Sequence, residues 1–221
     1  MKKFRFAILG AGHIARQFCD AVSRIDGCEV CAVASKSLAR AENFAKENGV
    51  ESYYDDYEML LEKERPDCAY IAVTTNDHYR LSVLCINHSV PVLCEKAMFQ
   101  NSEEAKNLYA LASEKKIFVM EALWSRYLPA VQQAKRWVEQ EKIGTPTVLQ
   151  CNIGFVAPDD KENRYFNPKL GGGAANDITV YAYEITTFIL NQAIKNISVS
   201  ATWSDTGVDV TDHVAICFED T

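Results

Sequence analysis

Hydrophobic positions along the chain fall into short runs separated by amphipathic stretches and turn residues, an alternation that predicts strand and helix in turn. Residues 4–9 (F-R-F-A-I-L) are nearly continuous in apolar character, the pattern of a strand buried on both faces. Ile14, Phe18, Val22 and Ile25 then recur at helical spacing, predicting a helix over 14–23. Asp26-Gly27 turns the chain into a second strand over 29–34. A helix over 38–47 ends at Asn48-Gly49, a short strand holds Tyr53-Tyr54, and a helix over 57–63 turns Met59, Leu60 and Leu61 inward. Apolar strands follow at 68–73 and 91–94, then a helix capped by Asn101-Ser102 and running to Glu114, then a strand at 117–120.

Strands and helices in strict alternation imply a doubly wound parallel sheet with right-handed crossovers, a Rossmann arrangement. Beyond it the pattern changes. A helix over 128–140, a strand over 147–156, a helix carrying Asp177 and strands at 197–203 and 214–218 predict a second α/β domain with an open, mainly antiparallel sheet. The expected division is 1–122 for nucleotide binding and 123–221 for substrate binding and oligomerisation. Val214, Ile216 and Phe218 are expected on an unpaired apolar edge, and the second domain is read as truncated.

Composition narrows the class of ligand. The 221 residues are 48% hydrophobic and 24% charged with a formal charge of −7, which suits a soluble protein without a basic surface for nucleic acid. No apolar run is long enough to span a bilayer, and Lys2-Lys3 leads straight into a strand, so the expected location is cytoplasmic and the expected partner a small molecule. Most of the eight cysteines stand singly inside apolar segments, as reduced buried thiols do; Cys28 and Cys31 form a C-x-x-C on a strand with no second pair, so no metal is expected.

The candidate chemistry gathers where strands end. Residues 10–15 read G-A-G-H-I-A. Gly10 takes the tight turn, Gly12 leaves room for a pyrophosphate, His13 and Ile14 open the helix whose N–H groups face it, and small Ala15 packs on the sheet. The second strand ends in A-S-K-S rather than in the acid that binds ribose hydroxyls in NAD-selective proteins. Ser35, Lys36 and the later Arg40 attract a 2′-phosphate instead, so the expected cofactor is NADP rather than NAD; the competing reading makes Lys36 a solvated charge and Ser37 a helix cap. Thr74, Thr75 and Asn76 at the next strand end are placed to contact the cofactor or to shape the turn. His78 reads as a packing residue and is kept out of the catalytic set. Glu95-Lys96 ends another buried strand, where a lysine held near a nicotinamide among cations and low-dielectric walls can exchange protons near neutral pH; the competing reading is a surface lysine paired with Glu95.

Taken together, G-A-G-H-I-A, V-L-C-E-K-A at 92–97, E-A-L-W-S-R-Y-L-P at 121–129 and G-G-G-A-A-N-D-I-T-V-Y at 171–181 resemble, in order, the motifs of the Gfo/Idh/MocA oxidoreductases, nearest the branch of dimeric dihydrodiol and D-xylose dehydrogenases. The resemblance implies that Lys96 is catalytic, with Glu95 beside the cofactor, and that Asp177 and Tyr181 face the substrate. It also implies a dimer formed through the second domain's sheet where that domain is complete. Independently, a spacing of four puts Asp177 and Tyr181 on one helical face, and Gly171 to Gly173 let the backbone approach a ligand. Trp124 and Arg126 are expected to line the substrate cleft, with packing as the competing role. The family's E-K-P is E-K-A here, and since a cis bond before a non-proline residue costs about 2.5 to 4 kcal/mol, Lys96-Ala97 is expected to be trans.

The function so implied is NADP-dependent hydride transfer to or from a sugar, cyclic polyol or diol. The competing reading is a catalytically silent, nucleotide-binding sensor of the same fold.

Overall fold

The computed structural model describes residues 2–219 and 221. The chain divides into two compact units, the first running to Ala122 and the second starting at Leu123.

In the first unit, strands β1 (Phe4–Leu9), β2 (Cys28–Ala34), β3 (Ser52–Tyr54), β4 (Cys68–Ile71), β5 (Val92–Cys94) and β6 (Val119–Glu121) form one sheet in the order β3-β2-β1-β4-β5-β6. Every pairing is parallel. The strand order reverses at β1 and β4, and in such sheets ligands bind in the crevice at the carboxyl ends on either side of that switch.

Helices α1 (His13–Ser23) and α2 (Leu38–Asn48) cover one face, contributing Ala15, Cys19, Phe44 and Ala45 to a core with Ile8, Val33 and Tyr70. Helices α3 (Tyr57–Glu64), α4 (His78–Asn87) and α5 (Ser102–Lys115) cover the other, where Leu60, Leu61, Leu81, Ile86 and Leu108 meet Ala7, Leu9, Ala34 and Ile71. Neighbouring residues of one strand thus enter opposite cores, which is why these strands are apolar throughout rather than alternating. Met59 departs from the expected inward triplet: it is 43% exposed, because the first turn of α3 is anchored instead by Asp56, whose carboxylate caps the Met59 amide.

The second unit holds a 3₁₀ turn at Trp124–Tyr127, helix α6 (Pro129–Glu139), a π turn at Ala175–Thr179 continuing into α7 (Val180–Leu190), and the antiparallel pair β7 (Ile194–Trp203) and β8 (Asp209–Phe218). Val199 pairs with Val214 and Ile197 with Ile216. Phe218, expected on an open edge, is buried at 5% exposure, whereas Val214 is 40% exposed. The strand expected over 147–156 is absent: that segment has no regular structure, and Val148 and Val156 stand 71% and 98% exposed. Among the described residues no strand bonds to it, and strand conformation needs a partner's ladder for its backbone groups.

All eight cysteines are free thiols; Cys68, Cys85 and Cys94 are buried and Cys217 is exposed.

Candidate functional site

Four strand ends of the first unit carry the candidate cofactor residues. At the end of β1, Gly10 takes φ +114°, and a Cβ there would lie 2.5 Å from the Ala72 carbonyl oxygen that follows β4. The fold itself therefore demands this glycine. Gly12 differs: it adopts an extended conformation open to any residue, and a Cβ would meet only the Ala72 oxygen, at an ordinary 3.8 Å. Nothing in the packing requires glycine at 12, so the residue fits a ligand's close approach. Gly12 is also the N-cap of α1, with no capping side chain and no acid in the first turn, which leaves that helix end suited to an anion. His13 opens α1, its Nε2 lying 3.2 Å from Gln17 Nε2, and Ile14 packs against the core on that side.

At the end of β2, Ser35 is buried and its amide donates to the Tyr54 carbonyl at 3.1 Å. Ser37 caps α2 by accepting from the Arg40 amide at 3.4 Å, as the capping reading has it. Arg40 lies exposed on the first turn of α2. Lys36 is not simply solvated: its Nζ donates to Asp77 Oδ2 at 2.6 Å, and Asp77 comes from the turn after β4. That turn is a 3₁₀ segment over Thr75–Asp77, with Thr74 and Thr75 half-buried and Asn76 exposed.

At the end of β5, Glu95 accepts a short hydrogen bond from the Tyr70 hydroxyl, and Tyr70 stacks on Phe18 of α1 with centroids 3.9 Å apart. Burial pushes the Glu95 carboxyl up, against the opposing pull of Tyr70 and Lys96. The Lys96-Ala97 bond is cis, correcting the expected trans bond. The Ala97 carbonyl oxygen lies 2.8 Å from His78 Nδ1, and the Met98 amide donates to Glu121 Oε1 at 2.8 Å. This conformation is thus held on both sides by residues distant in sequence. His78, with its Nε2 3.0 Å from the Val73 oxygen, is a buried tie between the ends of β4 and β5, and burial lowers its ring below the ordinary histidine value.

The second unit carries the remaining candidates. The Trp124 indole donates to the Tyr181 hydroxyl oxygen at 2.9 Å, with the rings edge to face. Asp177 lies in the π turn and accepts from Arg164 Nη1 at 3.1 Å. An i→i+5 turn between Asp177 and Tyr181 replaces the regular helix assumed for their spacing, and such π segments collect at functional positions.

Arg126 has partners within the second unit, as its competing packing role requires: its Nε donates at 2.9 Å to Glu184 Oε2, a carboxylate only 2% exposed that also accepts from the Ser125 hydroxyl. Its guanidinium also lies over the Phe188 ring at 5.3 Å. Two of the three glycines at 171–173 are required by the protein's own packing. A Cβ at Gly172 would lie 2.8 Å from the Tyr165 oxygen, and one at Gly173, whose φ is +117°, would meet the Asp209 carboxylate that caps the Ala175 amide.

Tyr70, Asp77, Arg80, Glu121, Arg164 and Glu184 are absent from the sequence-based set. Of these, Glu121 stood at the head of E-A-L-W-S-R-Y-L-P and Asp77 inside the T-T-N-D-H-Y that follows β4.

Comparison with known proteins agrees with this geometry. Residues 4–123 match the model described as "Oxidoreductase family, NAD-binding Rossmann fold", and residues 131–220 match the Gfo/Idh/MocA C-terminal domain. The trans-1,2-dihydrobenzene-1,2-diol dehydrogenase of Mus musculus is 33% identical over 96% of the chain, and that of Danio rerio 30% over 97%. The chain spans 64% of the length of each. Among solved structures, an oxidoreductase from Thermotoga maritima is 26% identical with a TM-score of 0.83, covering 99% of this chain and 70% of its own. The chain therefore belongs to the Gfo/Idh/MocA oxidoreductase family, its first unit built as that family's NAD-binding Rossmann fold.

Proposed function

We propose that the protein transfers a hydride between a nicotinamide cofactor, NADP in preference to NAD, and a carbinol carbon of a vicinal diol, sugar or cyclic polyol. The observation that carries this reading is Gly12, a glycine that neither conformation nor packing demands, set at the uncapped start of α1 beside the sheet's switch point. A diphosphate explains it. The diol follows from the relatives, which are named for one, and the NADP preference from Lys36 and Arg40 in place of an acid after β2.

The cofactor supplies a ring carbon that accepts or gives the hydride, and oxidation of an alcohol then leaves one proton on the substrate oxygen to be removed. Lys96, at the end of β5, is the first unit's candidate for that proton transfer, and Tyr181 is the second unit's. Trp124 donates its N–H to the Tyr181 oxygen and so stabilises negative charge developing there as the hydroxyl proton leaves. Asp177, oriented by Arg164, accepts a hydrogen bond from a second substrate hydroxyl.

The test is absorbance at 340 nm with NADP and a panel of vicinal diols and aldoses. Lys96→Ala and Tyr181→Phe are each expected to lower turnover by about 10² to 10⁴-fold while leaving NADPH affinity within a few-fold of the parent. Tight NADPH binding with no turnover on any member of the panel would favour a silent nucleotide sensor.

A further inference from the structure

The Lys36–Asp77 ion pair has a third member. Arg80, on the first turn of α4, donates its Nε to the other Asp77 oxygen at 3.2 Å. Asp77 is the enclosed partner, with its side chain 13% exposed against 68% for Lys36 and 58% for Arg80. The pair also spans an informative place. Lys36 follows β2, Asp77 and Arg80 follow β4, and β1 lies between those strands, so the contact joins the two sides of the glycine turn. Two strand spacings separate the ends of β2 and β4, about 10 Å, and the long lysine stem closes the gap. The adenosine ribose of a dinucleotide lies at the end of β2 in this architecture. Two exposed cations and one enclosed anion therefore stand where a 2′-phosphate is distinguished from a 2′-hydroxyl.

We propose that Arg80 joins Lys36 in binding the 2′-phosphate of NADP, and that Asp77 is the built-in counter-anion that holds both cations and limits the preference for NADP over NAD. The inference rests on the nucleotide-binding reading above and adds two residues from the β4 side to it.

With a 2′-hydroxyl present, Asp77 neutralises one unit of the cations' charge and accepts their hydrogen bonds. A 2′-phosphate instead takes over those donors, and its charge then lies near the Asp77 carboxylate. The cluster thus offers a dianion a net charge of +1, where the two cations alone would offer +2. The lysine and arginine are both more than half exposed, and ion pairs of that kind contribute little to holding a side chain in place. Repulsion between a phosphate and an enclosed carboxylate is screened less. Removing the negative charge should therefore strengthen phosphate binding more than the lost positioning weakens it.

Fluorescence titration of the full chain with NADPH and NADH tests this, with 2′,5′-ADP and 5′-ADP as competitors carrying and lacking the relevant phosphate. Asp77→Asn is expected to raise the ratio of NADPH to NADH affinity about tenfold and to raise 2′,5′-ADP affinity in parallel. Arg80→Ala is expected to weaken NADPH and 2′,5′-ADP about five- to tenfold, to leave NADH and 5′-ADP unchanged, and to flatten the salt dependence of NADPH binding. An Arg80→Ala protein that binds all four nucleotides as the parent does, or an Asp77→Asn protein with an unchanged or lowered ratio, would overturn the proposal. A parent that favours NADH would instead refute only the cofactor preference proposed above, since both substitutions would still shift the ratio in the stated directions. Failure of the parent to bind any of the four would overturn both.

Discussion

Two glycines two positions apart have different reasons for being glycine. At Gly10 the backbone conformation and the Ala72 carbonyl both exclude a side chain, so Gly10→Ala is expected to cost more than about 2 kcal/mol of folding stability. At Gly12 neither constraint applies, so Gly12→Ala should melt within about 0.5 kcal/mol of the parent while losing tenfold or more in NADPH affinity. Thermal denaturation beside nucleotide titration separates the two effects, and a Gly12→Ala protein of unchanged affinity would remove the main support for the nucleotide site. The strand-turn-helix around these glycines was legible because its residues are contiguous, whereas the Ala72 carbonyl that fixes Gly10 lies 62 residues away. The glycine-rich stretch in the second unit has packing reasons that its own letters do not show, since the atoms that Gly172 and Gly173 approach belong to residues 164, 165, 167 and 209. Lys36 was legible as a cation after β2, whereas its tie to Asp77 bridges 41 residues and leaves no local trace.

Elements buried on both faces were legible almost to their ends, because an apolar run bounded by turn residues is a complete local description of an inner parallel strand. The segment over 147–156 has the same apolar content, yet a strand exists only through the ladder a partner provides. Helix α7 shows what side-chain pattern alone leaves out. Its apolar positions announce a helix, but neither the π turn that begins it nor the acid at 184 carries a periodic signal. That acid makes a prediction at this scale. Removing Arg126 takes the cationic donor from a carboxylate that is 2% exposed and leaves the Ser125 hydroxyl donating to it, so Arg126→Ala should destabilise the second unit by about 2 kcal/mol. Glu184→Gln keeps the hydrogen-bonding shape without the charge and should cost less than half as much. Denaturant titration followed by tryptophan fluorescence, with Trp124 two residues from the arginine, measures both. Equal stability of Arg126→Ala and the parent would return that arginine to the role of a substrate ligand.

Across the whole chain the buried apolar residues are distributed unevenly. Among those described, only Leu190, Val208 and Phe218 belong to the second unit; the rest lie in the first, most of them in the two layers flanking the parallel sheet. Because burial of apolar surface is the main favourable contribution to folding, local stability should follow the same division. Amide hydrogen exchange is expected to be slowest in β1, β4 and β5, and faster throughout β7 and β8 despite their ten-residue ladders. Equal protection of the two sheets would show that something other than the described packing holds the second one. The order β3-β2-β1-β4-β5-β6 was legible in class, since alternating elements permit few topologies, while the register of each pair emerged only from the structure.

The thiols inherit this division. Burial pushes Cys19 and Cys31 up to about 11 and Cys68 up to about 12, which keeps them protonated and unreactive near neutral pH, whereas Cys217 stands in the open on β8. A maleimide dye applied briefly at pH 7 would therefore tag the antiparallel ribbon first. The native polypeptide in this way furnishes its own attachment point for single-molecule work.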